Sequence, residues 1–201
     1  MWIEDEAALA ALYGRPGEAS IVKEVPLLTP QYRAIIEASP FCVLATTGPD
    51  GLDATPRGDP AGFVTVVDDR TLVMPDRRGN NRIDSLKNIV RDPRVALLFL
   101  VPGVGETLRV NGRARISADP ALLADYAMDG KVPLSALVIA IDTAYFQCAR
   151  ALHRSRLWDP TLHRVRTELP SAGDMLMGAY QPFDGEDYDK GLAARQKATL
   201  Y

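Results

Sequence analysis

Apolar and polar positions alternate most cleanly between Glu106 and Ile116. Leu108, Val110, Ala114 and Ile116 fall on one side, while Thr107, Arg109, Asn111, Arg113 and Arg115 fall on the other. A period of two residues predicts a strand with one face buried. Continuous apolar runs predict a buried strand at 41–46 and one buried on both faces at 95–101, and 134–146 predicts a long strand carrying Asp142. Asp50-Gly51 marks a hairpin turn with 52–55 as its returning strand, and 63–67 and 71–74 form a second pair around Asp68-Asp69-Arg70. The stretch Pro56-Arg57-Gly58-Asp59-Pro60-Ala61-Gly62 reads as irregular, because four of its seven residues are Pro or Gly.

Helical spacing appears at the connections. Glu6 to Tyr13 reads as a short helix closed by Gly14, and Thr29 caps a helix carrying Tyr32, Ile35 and Ile36. Ile83, Leu86, Ile89 and Val90 share a face over 81–90, with Pro93 stopping that helix. Asp119-Pro120 has the N-cap and N1 arrangement of another. The expected fold is therefore mainly β with peripheral helices: six or seven antiparallel strands, mostly joined by hairpins and closed into a barrel that removes exposed edges. Residues 1–169 form one domain with a helical lead-in. Residues 170–201 form a helical tail, with helices at 174–177 and 186–198, packed on the barrel or on a partner subunit.

Charge narrows the partners. Lysine and arginine total 23 against 26 acidic residues, a net charge of −3 that disfavours nucleic-acid binding through overall positive charge. Arginine nevertheless far outnumbers lysine and gathers locally: Arg77, Arg78 and Arg82; Arg109, Arg113 and Arg115; Arg150, Arg154 and Arg156. Such clusters suit a local phosphate or carboxylate, and equally suit a solvated surface of ion pairs. Two cysteines, Cys42 and Cys148, lie in apolar runs and form no disulfide framework or zinc pattern. The acidic first residues are unlike a signal peptide, and the run 95–104 is too short to span a bilayer. The expectation is a cytoplasmic protein with neither membrane nor nucleic-acid partners.

Few residues offer chemistry of their own. With only His153 and His163, no nucleophilic triad, metal site, Walker loop or dinucleotide fingerprint is built. A borrowed cofactor is the better expectation. The stretch from Met74 to Arg82 joins a strand to a helix start, where unpaired backbone N–H groups carry partial positive charge. Asparagine donors, a glycine and three arginines beside it make a phosphate cradle, although an N-capped helix with surface arginines has the same composition. The Arg57-Gly58-Asp59 turn lies near in sequence. Trp158 follows the last strand and can stack on a flat ring or pack in the core.

Taken together, these segments resemble a known family, the pyridoxamine 5'-phosphate oxidase-related FMN-binding split barrels, in an uncharacterised bacterial subgroup. The resemblance rests on Ser39-Pro40-Phe41, Pro56-Arg57-Gly58-Asp59-Pro60, Gly62-Phe63 and Arg78-Gly79-Asn80-Asn81-Arg82 with Asp84-Ser85-Leu86. It continues through Leu98-Phe99-Leu100-Val101-Pro102-Gly103, Glu106-Thr107-Leu108-Arg109-Val110-Asn111-Gly112 and Arg154-Ser155-Arg156-Leu157-Trp158-Asp159-Pro160. It implies a six-stranded antiparallel split barrel that dimerises with itself and holds two FMN molecules between subunits. Carried across, Arg57, with Gly58 and Asp59, falls near the FMN phosphate, and Asn80, Asn81 and Arg82 match the phosphate group. Pro75 and Asp76 fall at the flavin ring or ribityl chain. Thr107 and Arg109 come from the second subunit, and Arg154, Ser155 and Trp158 flank flavin and substrate. No metal and no firm catalytic group is implied. The chain departs from the vitamin B6 oxidase in its phosphate site, which lacks the expected Lys, and in ending Thr199-Leu200-Tyr201. The implied function is an FMN-dependent oxidoreductase acting on an unidentified small molecule. A non-catalytic flavin module, or a split barrel using the deazaflavin F420 or haem, remains the alternative.

Overall fold

A computed structural model describes residues 2–201. Three helices lead in: α1 (Glu6–Leu12), α2 (Glu18–Val22) and α3 (Pro30–Ala38). Strands β1 (Phe41–Gly48), β2 (Gly51–Gly58), β3 (Thr65–Val66) and β4 (Thr71–Asp76) precede α4 (Asp84–Arg91). Then come β5 (Arg94–Leu100), β6 (Thr107–Ser117), α5 (Pro120–Ala124), β7 (Ser135–Gln147) and α6 (Arg150–Ser155). Two single 3-10 turns follow, before α7 (Ala172–Ala179) and α8 (Gly185–Ala198).

The strands form one antiparallel sheet of seven in the order β2-β1-β5-β6-β7-β4-β3. This corrects the six-stranded closed barrel. The seventh strand is the two-residue β3, and β2 and β3 keep free edges. The sheet is nonetheless strongly curled. Arg57 on β2 and Asp76 on β4 lie five strand positions apart, roughly 24 Å in a flat sheet at ~4.8 Å per strand. Their side chains pair at 3.7 Å. Twist and coiling bring the two ends together without a hydrogen-bonded seam.

The curl encloses a single main core. Leu44, Leu97, Phe99, Leu108, Leu72, Met74 and Ile139 are fully buried, and Ile36 of α3 and Ile89 of α4 pack into the same cluster. A smaller cluster lies on the opposite face, where Leu123 of α5 packs on Val73 and Ala136. That explains why β4 is buried on both sides. β5, expected to be buried on both faces, is not: Val95, Leu97 and Phe99 are buried while Ala96, Leu98 and Leu100 are half-covered. That outer strip keeps part of its surface open to solvent.

Pro56, Arg57 and Gly58 are also corrected from irregular loop to strand. β2 pairs with β1 through Gly58 (Phe41↔Gly58, Cys42↔Arg57, Val43↔Pro56). An edge strand tolerates a proline because its missing donor need not serve a second neighbour. The caps follow the sequence: Thr29 accepts from the Tyr32 N–H and Asp119 from that of Ala121. In β6 the ladder shifts register at Asn111/Gly112. A Cβ on Gly112 would lie 2.2 Å from the Ala140 carbonyl oxygen, so only glycine fits that bulge.

Candidate functional site

The ends of β2 and β4 converge on a cleft of about 540 Å³. Its walls come from Arg57, Asp76, the 77–81 loop, Ile83 and Leu86, from residues 131–135 before β7, and from Tyr201. Beneath it, Asp59 is almost wholly buried, its side chain 2% exposed, and holds the Arg77 guanidinium at 2.5 Å. Arg77 also donates to the Tyr126 carbonyl at 2.6 Å, which ties the cleft to the segment after α5. The Tyr201 hydroxyl donates to the other Asp59 oxygen at 2.8 Å. These bonds fix the floor before any ligand arrives.

The lining carries four cationic side chains, Arg57, Arg77, Arg78 and Lys131, against the single carboxylate of Asp76. Arg77 is neutralised by Asp59, whereas Arg57 meets Asp76 only at 3.7 Å and keeps donors for another partner. Burial pushes the Asp76 carboxyl above the usual carboxylate range, and the Arg57 charge opposes that shift. Burial also drives the Cys42 thiol, paired across the ladder with Arg57, up to about 12, so it is no nucleophile. The surplus of positive charge suits an anion.

The rim is strained. Asn81 has φ 60 and Ile83 φ 51. Asparagine tolerates the left-handed region, but a β-branched residue there is a genuine outlier. Ile83 occupies the N-cap of α4 without a side-chain cap, so no side chain competes for the helix's first N–H groups from that position. α4 itself therefore begins at Asp84, later than the 81–90 helix expected. The geometry presents donors beside the cleft and a smaller adjoining depression lined by Arg57, Asn80, Arg82 and Ser85.

The sequence-derived set divides into three. Arg57, Asp76, Asn80 and Asn81 line the cleft, with Asp59 as its buried anchor. Gly58 and Pro75 lie in the strands behind it: a Cβ on Gly58 would meet the Pro40 carbonyl oxygen at 3.2 Å, and Pro75 is buried opposite Ala136. Arg82 turns to Asp84 at 2.8 Å and borders the adjoining depression, not the cleft itself. Thr107, Arg109, Arg154, Ser155 and Trp158 do not reach the cleft. Arg109 stands on the outer face opposite Leu98 and donates to the Tyr145 hydroxyl at 2.7 Å. Ser155 donates to the Leu152 carbonyl, and Trp158 donates through Nε1 to that of Val104 at 2.8 Å.

Sequence reasoning missed the roles of Arg77, Lys131, Leu134, Ser135 and Tyr201 in this cleft. Arg77 had a signal, as a member of an arginine cluster beside the cradle. Nothing local marks 131–135 or Tyr201, which arrive only through tertiary folding. Among the described residues, no group of three or more His, Cys, Asp or Glu side chains is placed to hold a metal ion, and no helix is long and apolar enough to cross a membrane.

A mainly antiparallel sheet with an anion-suited cleft between its curled ends is the class that fold and site define. Residues 28–148 match the pyridoxamine 5'-phosphate oxidase family, and this span is more than half of the chain. The chain belongs to that family. Among solved structures it is similar to HupZ from Group A Streptococcus (20% identity, TM-score 0.46, covering 58% of this chain and 91% of that one). It is also similar to general stress protein 26 from Bacillus anthracis (20% identity, TM-score 0.43, covering 56% and 88%). A third is an FAD-binding protein from Mesorhizobium loti (16% identity, TM-score 0.40, covering 60% and 94%). At these scores the structures add no argument about function, and the assignment rests on the family match. No curated protein matches the chain.

Proposed function

We propose that this protein is an FMN-binding flavoprotein of the cytoplasm and an oxidoreductase toward an unidentified small molecule. The observation that carries the reading is the cation-rich cleft beside the strained 77–83 loop, in a chain of this family. The donor set fits a flavin mononucleotide: guanidinium and carboxamide groups for the phosphate, and a half-apolar wall of Leu86, Val132, Pro133 and Leu134 for a flat ring. FMN, when bound, supplies a two-electron acceptor. Arg57, Asn80 and Asn81 bind and orient its phosphate, with Arg82 reaching from the adjoining depression. Asp76 and the backbone at Pro75 border the ribityl and ring portion.

The remaining predicted residues belong, in this reading, to a second copy's share of the site. Thr107 and Arg109 stand on the outer face of the sheet beside the half-covered strip of Ala96, Leu98 and Leu100. Arg154, Ser155 and Trp158 lie beyond the last strand, away from the cleft of their own chain. An apolar strip edged by polar side chains suits a homodimer.

The deciding experiment is an absorption spectrum of the purified protein, followed by mass analysis of whatever it releases. A flavin spectrum with FMN released is expected. A colourless protein that takes up no added FMN would reject the reading. Bleaching by NADH or NADPH and reoxidation in air identify an enzyme; bound flavin indifferent to every reductant identifies a binding module.

A further inference from the structure

Tyr201 reaches the cleft from an appendage. α7 and α8 pack on each other at a crossing where a Cβ on Gly173 would lie 2.1 Å from the Gly185 carbonyl oxygen. Asp189 reinforces the crossing by accepting from the Gly173 N–H at 2.8 Å. Backbones in such contact make the hairpin one stiff unit. The chain leaves helical geometry at Thr199 (φ −122, ψ 17) and sets Tyr201 on the cleft.

Three contacts hold that residue. Its hydroxyl donates to Asp59 at 2.8 Å, Lys131 Nζ donates to its carbonyl oxygen at 2.8 Å, and the Arg77 guanidinium lies 5.5 Å from its ring centre. The hydrogen bond to Asp59 also pushes the phenol above its ordinary pKa. All three partners belong to the cleft's own floor and rim. Neither member of the buried pair depends on Tyr201 for charge balance: Asp59 retains Arg77, and Arg77 retains Asp59 and the Tyr126 carbonyl. Tyr201 can leave without stranding a buried charge, and a contact with that property can open and close.

We propose that residues 199–201 form a hinged wall of the cleft, latched by the Tyr201 hydroxyl on Asp59, which governs the entry and departure of a ring-bearing ligand. The ligand half of this rests on the flavin reading above; the hinge does not.

Hydrogen exchange followed by mass spectrometry on the full, ligand-free chain tests the hinge. Tyr201→Phe keeps the ring and removes the latch. Exchange across the last turn of α8 and across residues 77–83 is expected to quicken several-fold, and Lys131→Met should act in the same direction. Unchanged exchange in both variants overturns the hinge. Stopped-flow mixing with FMN tests the wall: Tyr201→Phe should speed association and dissociation together, leaving Kd less altered than either rate. Faster exchange with both FMN rates unchanged overturns the wall. Wild-type protein that binds no FMN rejects the flavin reading by itself, and the exchange comparison still decides the hinge.

Discussion

Arg77 and Arg109 are the same side chain in two settings. Arg77 is 18% exposed and grips a carboxylate that is 2% exposed. Arg109 lies on the outer face of β6, hydrogen-bonded to a tyrosine hydroxyl and lying 5.2 Å from that ring's centre. In the first setting little water competes, and removing either partner strands a buried charge. In the second, solvent replaces whatever is lost. Arginine clusters that look alike in a sequence thus divide into a structural anchor beside a cleft and a solvated polar face.

Arg77→Ala should therefore do the most damage, costing about 3 kcal/mol of stability in urea denaturation through an unpaired Asp59. A loss below about 1 kcal/mol would place this pair with ordinary surface ion pairs. Next comes Arg57→Ala, expected to weaken FMN binding by about 2 kcal/mol in a fluorescence titration while barely moving the urea midpoint. Replacing Asn81 and Arg82 together by Ala should cost about 1 kcal/mol of FMN affinity, less than Arg57, because Arg82 lies outside the cleft and already donates through Nε to Asp84. Unchanged affinity would put the phosphate elsewhere. Arg109→Ala should alter protomer stability by less than about 0.5 kcal/mol, yet weaken self-association in sedimentation if its face is the subunit contact. The smallest effect is expected at Asp92, whose carboxyl Arg94 holds down at about 2, below the ordinary carboxylate value of 3.8. Its stabilisation is complete above the unfolded value and is lost as pH falls through about 2. Asp92→Asn should thus make the acid limb of the stability profile shallower, without changing FMN binding at neutral pH.

Much of the sheet was legible because it is governed by local rules. The alternation in β6 matches its burial residue for residue from Leu108 to Ala114, and Thr29 and Asp119 cap helices as their side chains dictate. That the loop between Met74 and Arg82 joins a strand end to a helix start was legible for the same reason, because strand end, glycine, carboxamides and helix start are contiguous. What escaped depends on distant pairings. Proline and glycine at 56–58 look like a turn unless β2 is known to be an edge, which follows only from β1 pairing β5 on its other side. The Asp59–Tyr201 bond joins residues 142 positions apart, and no local pattern announces such a contact. Nor does a sequence show how far a sheet curls, and the curl is what sets Arg57 against Asp76.

A sheet that ends in two free edges could grow by adding a neighbour's strand, the route by which β proteins polymerise. Here one edge is only Thr65–Val66, too short to template a ladder, and the other carries Asp53, Pro56 and Arg57. Proline withdraws a donor, and a charged edge residue such as Asp53 penalises a stacked copy. The strand that delivers an arginine to the cleft thus also carries features that disfavour edge-to-edge growth.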